Sequence, residues 1–218
     1  MAKPLSTLLS ACLLTGAAAA QVPNLVARYE FDELAGTTAF DTSGNGHDGT
    51  YVGAFTLGQP GASACTAAAV ELDHAVNARV DVPDGPGLTA LVANASVSAW
   101  VFTETYGTGR MRIFGNDGSW SCAVDQFGLL FTTRGIKDYL LFGNVPLNTW
   151  THVAFVFDAS FDVTFYQDGK ELGTIPGTSP SNAPLPTWHV GTLNTVIEHW
   201  DGRLDDIQVY DRALTAAE

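Results

Sequence analysis

Short β-branched and aromatic runs recur along this chain between turn signals, and no long 3.6-residue apolar period competes with them. Val97-Ser98-Ala99-Trp100-Val101-Phe102, His152-Val153-Ala154-Phe155-Val156-Phe157 and Val163-Thr164-Phe165-Tyr166 are the strongest runs. Residues 25–31, 78–82, 129–133 and 203–210 add shorter or more alternating ones. Pro83-Asp84-Gly85, Asn116-Asp117-Gly118 and Asp168-Gly169 mark turns, the last a two-residue hairpin of the primed type. A last helical turn at 212–218 is the one exception, and the Pro/Ser/Gly-rich stretch 173–186 reads as a surface loop. Many short strands with glycine-rich turns predict an all-β antiparallel sandwich or jelly roll, in one domain over residues 21–218.

Residues 1–20 read as a signal peptide. Lys3 is followed by an apolar run over 5–14, and Ala18-Ala19-Ala20 before Gln21 forms a small-residue cleavage site. The run is shorter than the roughly 20 residues a membrane helix needs. Leu9-Ser10-Ala11-Cys12 also resembles a lipoprotein box, which would make Cys12 a lipid anchor. It ranks second, because few residues precede the cysteine and apolar or small residues continue past it. The expectation is a secreted protein without membrane insertion. The 218-residue chain carries 10 basic and 23 acidic residues, net −13, and near −14 once Lys3 is removed. That balance argues against nucleic acid and anionic membranes as partners. Cys65 and Cys122 remain in the mature chain; an oxidising compartment permits a disulfide between them, with two free thiols as the alternative.

The run Asp41-Thr42-Ser43-Gly44-Asn45-Gly46-His47-Asp48-Gly49 packs carboxylates, an amide and hydroxyls among glycines. Such a loop can wrap oxygens around a hard cation such as calcium. It is not an EF-hand: Val52 stands where the twelfth-position glutamate belongs, and neither flank is helical. The alternative is an Asx-turn, in which Asp41 and Asn45 hydrogen-bond their own backbone.

Five segments, in order, resemble the LamG-like jelly-roll domains of the concanavalin A-like lectin/glucanase superfamily. They are Tyr29-Glu30-Phe31-Asp32-Glu33 with the 41–49 loop, Val97-Ser98-Ala99-Trp100-Val101, Asn148-Thr149-Trp150-Thr151-His152-Val153-Ala154, Phe165-Tyr166-Gln167-Asp168-Gly169-Lys170, and the closing run 202–214. The resemblance implies two antiparallel sheets with adjacent terminal strands. It also implies a structural calcium where those strands meet. Asp41 and Asp205 would then give carboxylates, Asn45 and His47 main-chain oxygens, and Glu33 a carbonyl. Asp206 is expected on the opposite face from Asp205.

No catalytic constellation stands out. The Glu-x-Asp-x-x-Glu pattern of the related glucanases is missing, as are a Gly-x-Ser-x-Gly elbow, His-Glu-x-x-His and a phosphate loop. The chain is therefore read as non-catalytic. His152, inside an apolar strand, reads as structural. Sugar-binding faces pair aromatic planes with a few polar groups. Tyr106, Trp120, Tyr139, Trp188 and Trp200 are the candidate planes, with Arg110, Arg112, Asn116 and Asp117 as polar partners near Trp120. Trp100 and Trp150 are assigned to the core. The expected function is a calcium-stabilised lectin-like module binding carbohydrate or cell-surface glycans, compatible with further domains in a natural assembly. The competing readings are a glycan-degrading enzyme and an adhesion module recognising protein.

Overall fold

Strand after strand alternates a buried apolar residue with one facing away, and two sheets result. The structure is a computed structural model that describes residues 23–63, 66–135, 137–141, 143–178, 180–195 and 197–218. In chain order the strands are β1 (Leu25–Tyr29), β2 (Thr38–Ala39), β3 (Gly49–Val52), β4 (Phe55–Pro60), β5 (Ala68–Leu72) and β6 (Arg79–Pro83). Then come β7 (Ala95–Thr103), β8 (Arg110–Gly115), β9 (Trp120–Asp125), β10 (Leu130–Arg134) and β11 (Lys137–Leu141). The last five are β12 (Trp150–Phe157), β13 (Val163–Gln167), β14 (Lys170–Ile175), β15 (Thr187–Val190) and β16 (Gly202–Tyr210). A 3-10 turn, His74–Val76, precedes β6.

One sheet runs β14-β13-β12-β7-β16-β5-β4, with β1 also paired to β16; the other runs β11-β10-β9-β8-β15-β6-β3-β2. All pairings between these strands are antiparallel, as the sequence leads one to expect of a concanavalin A-like jelly-roll sandwich. The opening and closing strands lie side by side, with Leu25 opposite Tyr210 and Tyr29 opposite Ile207. We call the sheet holding them the terminal sheet. Strand β16 meets β7 along one edge, and shares its other edge between β5 and β1.

The core fills the space between the sheets. Val97, Ala99 and Val101 of β7 face it, as do Phe155 and Phe157 of β12 and Leu204, Ile207 and Val209 of β16. Trp120, Cys122 and Val124 of β9 and Trp188 and Val190 of β15 face them from the opposite sheet. The Asp168-Gly169 hairpin forms as read, with Gln167 opposite Lys170 and both turn residues at positive φ (50° and 72°). Residues 212–218 form no helix, because Ser96 holds that segment down from outside: its hydroxyl donates to the Arg212 carbonyl and accepts from Leu214 N–H. Residues 173–186 begin as the end of β14 and continue as an irregular segment, not as loop throughout.

Cys122 is a buried free thiol whose pKa burial pushes up; Cys65 lies outside the described residues, as do Cys12 and the 1–20 segment. Among the described residues no helix is long and apolar enough to cross a membrane.

Candidate functional site

The opening loop returns to β1 through an isolated bridge between Tyr29 and Asp41. Asp41 Oδ1 accepts from Arg28 N–H and Ser43 N–H, and Oδ2 accepts from the Ser43 hydroxyl and His47 N–H, all at 2.9 Å. Burial alone would raise the Asp41 pKa, but the donors from Ser43, Arg28 and His47 outweigh it and hold the carboxyl below its usual range. Asn45 Nδ2 donates to the Leu25 and Val26 carbonyls at 2.8 and 3.0 Å, and the His47 carbonyl accepts from Tyr29 Oη at 2.7 Å. Asp41 and Ser43 N–H thus form an Asx-turn, whereas Asn45 ties the loop to β1 and not to its own backbone. A carboxylate offers about four lone-pair sites, and here four donors fill them.

Asp205 is placed differently. It is fully buried, and its Oδ2 accepts from Ala62 N–H at 2.8 Å in the turn between β4 and β5. Its Oδ1 is buried and has no hydrogen-bond partner among the described residues. Burial raises its pKa to about 6; Ala62 and Thr66 pull against that, while Asp206 and Asp32 add to it. A buried, unpartnered carboxylate oxygen beside a second carboxylate is a donor set that fits a hard cation, whereas the saturated Asp41 does not.

The expected alternation of Asp205 and Asp206 is broken by a bulge. Asp205 stands opposite Trp100 and Gln208 opposite Ser98, so Asp205 and Gln208 share a face although three residues apart. Asp206, at φ 43°, takes up the extra residue. It accepts from Arg28 Nε at 2.8 Å and from Gln208 Nε2 at 2.9 Å, on that same side.

The aromatic expectations are reversed. Trp120 and Trp188 are 1% and 0% exposed and meet edge to face in the core, centroids 5.1 Å apart. Their indole N–H groups donate inside the protein, Trp120 to the Leu91 carbonyl and Trp188 to Asp84. Tyr139 and Trp200 are buried as well, and Tyr106 donates its hydroxyl to the Val145 carbonyl. Arg112 is buried, held by Glu198 at 2.6 Å and Ser121 at 2.6 Å. Neither Trp120, Trp188 nor Arg112 presents a surface to a ligand. Arg110 stays partly exposed, over the Phe131 ring and paired with Asp138 at 2.9 Å. Asn116 is buried and Asp117 exposed; Asn116 pins the 185–187 stretch with both ends of its amide.

Trp100 and Trp150, assigned to the core, instead stand on the outer face of the terminal sheet. Val97, Ala99 and Val101 point inward, which turns Ser98, Trp100 and Phe102 outward. Trp100 meets His152 edge-on at 5.2 Å, and Phe102 meets Trp150 at 5.5 Å. Both tryptophans and His152 are partly exposed. Burial lowers the His152 pKa, against the pull of Asp168 and Asp206.

One further cluster is not legible in the sequence, because Asp201 lies far along the chain from Asp73 and His74. Asp73, His74 and Asp201 bring ligand atoms within 4.8 Å of one another at the surface, with His74 Nδ1 2.9 Å from Asp201 Oδ1. Asp73 also caps the 3-10 turn through Ala75 N–H, and Asp201 accepts from Thr105. An imidazole with two carboxylates suits transition metals better than calcium.

A family model, Laminin_G_3 of the concanavalin A-like lectin/glucanases superfamily, matches residues 74–218. No curated protein matches the chain. Among solved structures, domain 4 of AbnA, a GH43 extracellular arabinanase from Geobacillus stearothermophilus in complex with arabinotriose, is similar at 24% identity and TM-score 0.65. That match covers 89% of this chain and 95% of that one. The binding domain of botulinum neurotoxin DC in complex with rat synaptotagmin II is similar at 16% identity and TM-score 0.67, over 89% and 49%. Botulinum neurotoxin type C, which depends on interaction with two ganglioside molecules to enter cells, gives 14% and 0.65, again over 89% and 49%. The chain thus spans about half of each toxin chain, and these likenesses are likenesses of fold.

Proposed function

The chain belongs to the Laminin_G_3 family of the concanavalin A-like lectin/glucanases superfamily, and we infer that it is a secreted, non-catalytic module that binds glycans. The observation that carries this reading is the outward aromatic row of the terminal sheet, Trp100, Phe102, Trp150 and His152, on a face that core packing does not require. Aromatic planes beside polar groups are how proteins hold the apolar faces of sugars. The arabinotriose-bound neighbour, matched over nearly its whole length, supports the same ligand class. The synaptotagmin-bound neighbour favours protein recognition as the second reading.

The non-catalytic part is supported by what the acidic clusters already do. Glu33 accepts from Phe40 N–H and Tyr51 Oη, Asp41 from Arg28 N–H and from Ser43 and His47 of its own loop, and Asp206 from Arg28 and Gln208. A retaining glycosidase needs two carboxylates about 5–5.5 Å apart and free to act. Calcium belongs to this reading as a structural ion. Asp205 and Asp32 would hold it, and its charge would offset the buried carboxylate while tying β16 to the β4–β5 turn.

Affinity electrophoresis against arabinan, galactan, xylan, β-glucan and polygalacturonate, with a reducing-sugar assay alongside, tests the function. Retardation by at least one neutral polysaccharide without sugar release is expected. Release of reducing ends would make the protein an enzyme, and no retardation by any of them would remove the glycan reading.

A further inference from the structure

The outer face of the terminal sheet is not open along its whole width. After β16 the chain turns back across it, held to Ser96 through the Arg212 carbonyl (2.8 Å) and Leu214 N–H (3.0 Å). Glu218 then closes this strap on itself, taking the Arg212 guanidinium in a two-pronged pair and accepting from Thr215 N–H and Oγ1. Between the strap and strands β12 and β13 lies a cavity of about 240 Å³. Its floor is made of small outward residues, Ser98 and Ala154, and its walls include Tyr166, His152, Gln208 and Tyr210.

Three properties of this cavity narrow what it can hold. It is smaller than the roughly 300–1,000 Å³ pockets that take drug-sized ligands, so it has room for one ring and not for a chain. Its lining mixes ring faces and aliphatic groups with hydroxyl, imidazole and amide, and neither Ser98 Oγ nor the His152 ring makes a hydrogen bond to another described residue. Among the described residues that line it, the one arginine, Arg212, is already matched by Glu218; nearby Asp206 is paired with Arg28, and Glu171 stands 3.4 Å from Tyr166 Oη. An anionic ligand would meet the Glu171 carboxylate there, which makes no ion pair among the described residues.

We propose that this cavity is a subsite for a single neutral sugar ring, the end or a side branch of a glycan, with its apolar face against Tyr166 and Ala154 and its hydroxyls toward Ser98, His152 and Gln208. The assignment rests on the glycan-binding reading and adds place, size and charge to it. The strap makes the site: it supplies one wall and keeps the arginine from acting as an anion receptor.

The test uses the full chain with L-arabinose, D-galactose, D-glucose and D-glucuronate as probes, read by saturation-transfer NMR and calorimetry, together with the neutral polysaccharide retained by the wild type. Ala154→Leu fills the cavity from its floor, and Ser98→Ala removes one hydroxyl with little risk to folding. A neutral sugar should bind, D-glucuronate should bind at least about tenfold more weakly, and Ala154→Leu should lose at least about tenfold toward the neutral ligand. Ser98→Ala should lose severalfold if Ala154→Leu fails to fold. A folded Ala154→Leu or Ser98→Ala protein with wild-type affinity, or a preference for glucuronate, overturns the subsite while leaving glycan binding intact. Wild-type protein that binds no polysaccharide at all overturns the reading beneath it.

Discussion

At the scale of the residue, two aspartates from neighbouring motifs behave in opposite ways. Asp205 has its folded pKa raised to about 6, above the roughly 3.9 of an unfolded chain. Between those values the folded state binds more protons than the unfolded one. In cation-free protein this group therefore favours folding most below about pH 4, and its contribution falls by about 2–3 kcal/mol as pH rises past 6. Asp205→Asn should abolish that slope and raise stability in EDTA at pH 7 by about 1–3 kcal/mol, measured by urea melts from pH 4 to 8. Added calcium should raise the melting temperature of the wild type but not of Asp205→Asn, and an unchanged wild-type melt on adding calcium removes the ion from the proposal. Asp41 has its pKa depressed, so its stabilisation is present at neutral pH and is lost as pH falls through the acid range. Asp41→Ala should cost about 2–3 kcal/mol with or without calcium, because it strips four donors of their acceptor. The sequence marks both aspartates as important, since each sits in a dense polar motif. What it lacks is the list of donors around each, which depends on a turn more than a hundred residues away for Asp205.

At the scale of the element, the strands were legible and their facing was not. The runs around 97–102, 152–157 and 163–166 became β7, β12 and β13 because β-branched and aromatic residues suit a pleated, half-buried surface. Which tryptophans lie inside is a matter of strand parity, and parity needs a register the sequence does not print. Trp120 shares a face with Cys122 and Val124, whereas Trp100 alternates with Ala99 and Val101. Trp188→Ala would remove a core ring at about 3–5 kcal/mol, so lost binding in that variant would report unfolding. Glycines separate in the same way. Gly169, at φ 72°, has open space where a Cβ would go, so Gly169→Ala should cost only about 1 kcal/mol of backbone strain. Gly202 begins β16 at φ 127°, and a Cβ there would sit 2.1 Å from the Phe102 carbonyl oxygen. Gly202→Ala should therefore destabilise by more than about 4 kcal/mol, or fail to fold, in the same denaturant assay. Equal losses for the two variants would mean that the crowding at Gly202 relaxes away.

At the scale of the molecule, the jelly-roll class follows from regular strand spacing and a shortage of helical periodicity, and the adjacency of the end strands followed from the resemblance. Neither reveals that β16 is interior. Its flank on one side is β7, and on the other it bridges β5 and β1, so β16 is the strand that joins the terminal sheet together. A protein ending at residue 201 should show no cooperative thermal transition, and addition of a 202–218 peptide should restore one; a cooperative melt of the shortened chain alone would contradict this. Nearly all pairings of that sheet's middle span long stretches of chain, which slows closure. Until β16 is in place, β1, the β4–β5 pair and β7 thus have no strand in common.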